Sequence, residues 1–132
     1  DLPPPPPPPP TLTGTWTFQV TVTVATGVCA PDVGEVTTLP ITITQTGTAA
    51  PWGLSATGFD GLASNTLAGT LSATNQVTLS GSYPEDGGTT TASHQLTLTN
   101  ATTLTGTEFW SWSGPGGTCP NSQASVMATK NP

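Results

Sequence analysis

Residues 12–24 read Leu-Thr-Gly-Thr-Trp-Thr-Phe-Gln-Val-Thr-Val-Thr-Val, and this stretch decides the fold. Leu12, Gly14, Trp16, Phe18, Val20, Val22 and Val24 alternate with Thr13, Thr15, Thr17, Gln19, Thr21 and Thr23. Successive side chains of an extended chain point to opposite faces, so a period of two describes a long strand with one buried face. Working outward, shorter runs of the same pattern predict strands over 36–46, 52–59, 66–73, 76–83, 90–99, 103–112 and 123–130. Turn chemistry separates them, as in Asp86-Gly87-Gly88 and Gly114-Pro115-Gly116-Gly117. No stretch has a helical period. The pattern predicts an all-β domain over 11–132, a small eight-stranded antiparallel up-and-down barrel. A β-sandwich or jelly roll is the alternative, and it needs longer crossover connections than the chain offers.

A short internal repeat fits the barrel. Leu12-Thr13-Gly14-Thr15-Trp16, Leu67-Ala68-Gly69-Thr70-Leu71, Leu79-Ser80-Gly81-Ser82-Tyr83 and Leu104-Thr105-Gly106-Thr107-Glu108 share one form, with the glycine on the inward face. An inward glycine lets a strand bend and leaves room for a bulky neighbour.

Composition narrows the environment and the chemistry. The 132 residues include 29 threonines and 10 serines, but charged residues are only 6% of the chain and the net charge is −6. A surface made soluble by hydroxyls rather than charge suits an extracellular or cell-surface protein. One lysine and no arginine exclude a nucleic-acid binder that tracks phosphates. No run of 18 apolar residues is present to span a membrane. Without an initiator Met, the chain is expected to be a processed one whose export signal has been removed.

Cys29 and Cys119 are the two cysteines, and a disulfide between them is expected, free buried thiols being the alternative. In an up-and-down barrel of eight strands the first and seventh connections lie at the same end, and strand eight pairs with strand one. Cys29 falls in the first connection and Cys119 in the seventh, so the topology brings them together.

Residues 1–10 form a separate arm. Pro3, Pro4, Pro5, Pro6, Pro7, Pro8, Pro9 and Pro10 are consecutive. Each ring fixes φ and removes a donor, so the run is a polyproline II rod of roughly 25 Å. Such a rod is either a stiff spacer or a docking element that loses little entropy on binding, onto a neighbour or onto its own barrel.

Gly14-Thr15-Trp16 at the start of the first strand resembles the G-x-W signature of lipocalins, and the repeated Leu-Thr-Gly strands are similar to avidin-type barrels. The lipocalin resemblance implies that a basic residue on the last strand stacks on the Trp and closes the barrel base. Lys130, the only cation, ends the predicted eighth strand, so a Lys130–Trp16 cation–π contact is what the resemblance implies. The polar biotin contacts of avidins find no match. The chain is also shorter than a typical lipocalin and lacks its flanking helix, which argues against a roomy cavity.

Few residues can carry chemistry. His94 and Glu108 both fall on inward faces, and a three-residue loop of Asn100, Ala101 and Thr102 sets them opposite each other. The pair is either a polar anchor for a ligand or a structural ion pair. Trp110 and Trp112, with Trp52, either line a sugar-binding or apolar pocket or fill the core. Phe109 is expected to point outward. Pro84-Glu85-Asp86-Gly87-Gly88 has too few ligands for calcium. No P-loop, nucleophile elbow, HExxH or CxxC motif is present, so no catalytic residue, metal site or cofactor is expected.

Asn100-Ala101-Thr102 is an N-glycosylation sequon on a hairpin tip, and Thr13, Thr15, Thr17, Thr21, Thr23, Thr42 and Thr44 form outward rows that are candidate O-glycan acceptors. Thr is also simply a good exposed strand residue. Taken together these features predict a secreted, non-enzymatic structural subunit that assembles with copies of itself through the proline arm. A surface-tethered barrel holding a small apolar or sugar ligand is the alternative.

Overall fold

The computed structural model describes residues 2–5 and 9–132; the arm positions Pro6, Pro7 and Pro8 lie outside the described residues. The domain is an eight-stranded antiparallel closed barrel. Its strands are β1 (Gly14–Val24), β2 (Val36–Thr46), β3 (Trp52–Thr57), β4 (Thr66–Leu71), β5 (Gln76–Glu85), β6 (Gly88–Asn100), β7 (Thr103–Gly114) and β8 (Gly117–Lys130). Each strand pairs with the next, and β8 returns to β1, with Trp16 opposite Lys130 and Val20 opposite Val126. Closure leaves no free sheet edge, which removes the sandwich alternative.

The alternation places Trp16, Phe18, Ile41, Ile43, Leu67, Leu71, Leu79 and Leu104 inside, all essentially inaccessible to solvent. Leu39 and Trp110 are half-buried and pack against this cluster. The inward glycines act by two routes. Gly14 has φ +149, and a Cβ there would lie 3.0 Å from the Lys130 side chain. Gly106 needs no special φ, but a Cβ would sit 2.1 Å from the Gln95 carbonyl oxygen of the neighbouring strand, so only glycine permits that approach.

Three sequence readings change. First, β5 and β6 run to a two-residue turn, Asp86-Gly87, with φ of 51° and 74°. Two positive φ values match the right-handed twist of a hairpin, so the ladder extends beyond the predicted strand ends. Second, Cys119 lies within β8 rather than in a connection. Pro120 and Asn121, which fall in the predicted connection, form a bulge, since Trp110 pairs with Ser122 and Trp112 with Cys119. Asn121 takes φ 53, and the extra residue reverses the inward phase of the strand. Cys119 is therefore fully buried, with Ser122, Ala124, Val126 and Ala128 inward beyond the bulge. Third, Val24 is 41% exposed, because β1 outruns the core at its end and its pairing with β8 shifts register there.

The two ends of the barrel differ. The lower end, where β1 begins, is plugged by the fully buried Leu12. The Trp16 indole donates to the Leu12 carbonyl at 2.8 Å, and Gln45 spans the entering chain, accepting from Leu12 N and donating to the Pro10 carbonyl, each at 2.8 Å. Beyond that clamp Leu2, Pro3, Pro4, Pro5 and Pro9 are exposed, so these positions do not dock on their own barrel. Lys130 donates from Nζ to the Thr11 carbonyl at 3.2 Å. This bond helps close the base. The aromatic contacts among the described residues do not include the expected stacking of Lys130 on Trp16, whose indole is fully buried.

Candidate functional site: the upper mouth of the barrel

The upper end carries the first, third, fifth and seventh connections. The first contains a 3₁₀ segment, Gly27–Asp32, which the Cys29–Cys119 disulfide ties to β8 across a separation of 90 residues. The third contains Phe59, which the sequence assigned to a strand. Gly58 has φ 115, a left-handed conformation that ends β3 and turns the following residue inward. Asn65, almost wholly buried, donates from Nδ2 to the Phe59 carbonyl at 2.8 Å and holds the loop shut. Phe59 thus stacks on Tyr83, with centroids 6.1 Å apart, and meets Phe18 edge-on at 6.2 Å.

Between this loop, the strand ends and the disulfide-tied segment lies a cavity of about 180 Å³. Its aromatic wall is Phe18, Phe59, Tyr83 and Trp110. Its polar wall holds Asp32, Glu35, Asp60, Glu85 and Glu108. Asp86 lies in the β5–β6 turn beside it. Six of the seven acids in the chain therefore collect at one end, and the single lysine sits at the other. The sequence contained a usable signal for this. In an up-and-down barrel the odd connections share an end, and Asp32, Glu35, Asp60 and Asp86 all lie in or beside odd connections.

Electrostatics follow from the crowding. Burial pushes the Glu85 carboxyl above its ordinary range; the Thr90 hydroxyl, donating to it at 2.7 Å, opposes this, while Asp60, Asp86 and Glu108 add to the rise. Burial likewise drives the Tyr83 phenol upward, with Glu108, Glu85 and Asp60 contributing, so Tyr83 is a neutral hydroxyl throughout the physiological range.

His94 and Glu108 face each other across β6 and β7, with Leu96 opposite Gly106 and Leu98 opposite Leu104. The hairpin loop is shorter than the sequence implied, because Asn100 pairs with Thr103, and a bulge between Leu98 and Asn100 preserves the register. His94 is fully buried, with Nε2 2.8 Å from Glu108 Oε2. The contact does not meet hydrogen-bond alignment at Nε2, and Nδ1 has no hydrogen-bond partner.

The three tryptophans do not form one pocket. Trp110 and Trp112 stand at the upper end, where the Trp112 indole donates to the Glu85 carbonyl at 2.7 Å. Trp52 opens β3 at the lower end, since even connections lie there. Phe109 points outward and is 38% exposed. The barrel wall itself carries no charge; facing pairs such as Thr15–Thr42, Ser82–Thr91 and Thr97–Thr105 form a hydroxyl surface. Thr13, Thr15, Thr23, Thr42 and Thr44 are exposed there, and Thr17 and Thr21 are half-buried. Asn100 is exposed at its hairpin tip, its Oδ1 accepting from Thr102 N at 3.0 Å and from the Thr102 hydroxyl at 3.2 Å.

No helix among the described residues is long and apolar enough to cross a membrane, and no three of their His, Cys, Asp or Glu side chains stand close enough together to hold a metal ion. No protein-family model, curated protein or solved structure matches the chain. The functional reading therefore rests on the two ends of the barrel.

Proposed function

We propose that this chain is a secreted structural subunit that joins copies of itself, through the proline arm, into an extracellular filament or surface layer. One observation carries the reading: two unlike, unsatisfied surfaces lie at opposite ends of the same barrel. The arm leaves the lower end from a root held by Gln45, with its described outer residues exposed. The upper rim exposes Val24, Val28, Val33, Val36 and Leu62, each at least 41% accessible. A surface that meets a different surface on the next copy makes a heterologous contact, which extends into an open assembly unless the rotation closes. A polyproline rod needs an apolar seat and gives up little entropy on docking. The uncharged hydroxyl wall suits lateral packing or a glycan coat, and the interior is filled below the mouth rather than hollow.

Electron microscopy of the full chain, a version lacking residues 1–10 and Gln45→Ala tests this. Fibrils or sheets from the full chain, dispersed particles from the truncated chain and fewer or shorter assemblies from Gln45→Ala are expected. Dispersed monomers from the full chain would overturn the reading. A fall in the intact mass of native material on deglycosylation would identify the glycan coat.

A further inference from the structure

The upper mouth has a property that assembly does not explain. Five carboxylates line a cavity of about 180 Å³ that contains no lysine or arginine. The only basic group on its wall is the fully buried His94, whose Nε2 stands 2.8 Å from Glu108 Oε2 without an aligned hydrogen bond and whose Nδ1 has no partner at all. A buried polar atom is nearly always paired in a native protein, with water or ligand where protein supplies nothing. His94 lines the cavity, so a guest held there can supply the partner that its Nδ1 lacks.

We propose that the upper mouth is a binding site for a single-ring organic cation, a protonated aromatic amine held between the aromatic wall and the carboxylates, with a His94 ring nitrogen as a further polar contact. Size, sign and shape all enter the assignment. A cavity of about 150 Å³ lined by apolar side chains accepts benzene, so this one accommodates one ring and a short polar extension. It is smaller than the roughly 300 Å³ at which pockets for larger ligands begin. Phe18, Phe59, Tyr83 and Trp110 offer ring faces and edges to an aromatic guest and to its positive charge. Glu85 and Glu108 lie on strands rather than mobile loops, and Asp60 is held on the clamped Phe59 loop. A bound cation relieves the repulsion from Asp60, Asp86 and Glu108 that adds to the burial-driven rise of the Glu85 carboxyl. A carboxylate or phosphate guest meets only like charge.

Calorimetric titration of the full chain with benzylamine, benzyl alcohol and benzoate, at neutral pH and low salt, tests the site. Benzylamine is expected to bind one per chain, roughly tenfold tighter than its neutral isostere, as a charge-assisted contact implies. Benzoate is expected not to bind. Asp60→Asn leaves a residue that tolerates the φ of 57° at this exposed position, so the variant keeps the loop conformation. It and Glu85→Gln are each expected to weaken benzylamine severalfold and leave benzyl alcohol unchanged. Equal affinity for benzylamine and benzyl alcohol, or no saturable benzylamine binding, would overturn the assignment. So would ammonium chloride displacing benzylamine at equal concentration, since the carboxylates would then accept any small cation.

Discussion

Removing the Cys29–Cys119 bridge should cost this barrel a large part of its stability, and the size of the loss can be worked from the fold. The cysteines are 90 residues apart in sequence, so the bond closes most of the domain into one loop. With the chain-entropy relation, a loop of that length removes denatured-state freedom equivalent to about 4.6 kcal/mol at room temperature. The native state already holds the two cysteines together. A Cβ on Gly27 would lie 2.0 Å from the Thr118 carbonyl oxygen, and the Val28 side chain packs against Gly117, so the 3₁₀ segment sits on β8 through its own contacts. Breaking the bond therefore acts mainly on the unfolded chain. The double variant Cys29→Ala, Cys119→Ala is expected to lose about 4 kcal/mol in guanidinium unfolding, with a larger denaturant slope because its unfolded state expands further. For a domain of this size that corresponds to a fall in Tm of roughly 15 °C. A loss below about 1 kcal/mol with an unchanged slope would show instead that the loop contributes nothing to denatured-state freedom.

Two further substitutions test the packing and the mouth. Gly106→Ala is expected to destabilise the barrel by about 2–3 kcal/mol in chemical unfolding, since its Cβ meets the Gln95 carbonyl oxygen at 2.1 Å. Gly116→Ala, in the open turn with nothing within 4 Å, should change stability by about 0.5 kcal/mol or less. Equal effects would show that the close approach of β6 and β7 does not constrain residue 106. Glu85→Gln tests the electrostatics through thermal melts across acid to neutral pH. The folded carboxyl titrates above the ordinary glutamate value of 4.5, so its protonated form is the one folding favours. Its stabilising influence is complete below that value and is lost as pH rises through the folded pKa. Gln cannot ionise and still accepts from Thr90, so the variant should melt higher than the parent at neutral pH and converge with it in acid. A variant advantage that grows toward low pH would contradict the sign.

The alternation in residues 12–24 and its echoes were enough to read eight strands, their inward faces and the closure of β8 on β1. Even the pairing of His94 with Glu108 followed from hairpin arithmetic, though the loop is tighter than expected and a bulge restores the count. Strand ends were less legible. Pro120 and Asn121 fall in the predicted connection before the eighth strand, and only the pairing of both flanks with β7 makes them a bulge. Gly58 reads as one more residue of a strand until its left-handed φ swings Phe59 into the mouth.

What the sequence determined by itself is therefore local and periodic: which residues extend, which face they present and where hairpins turn, because strand pleat and turn chemistry act over two to four residues. Only the tertiary structure decided where the scarce charges meet. Asp32, Glu35, Asp60, Glu85 and Glu108 are scattered along the chain, and none belongs to a motif. Closing an even number of antiparallel strands sends every odd connection to the same end, and it is this parity that gathers the acids around an aromatic cavity. It also leaves the lysine at the far end, where the proline arm departs.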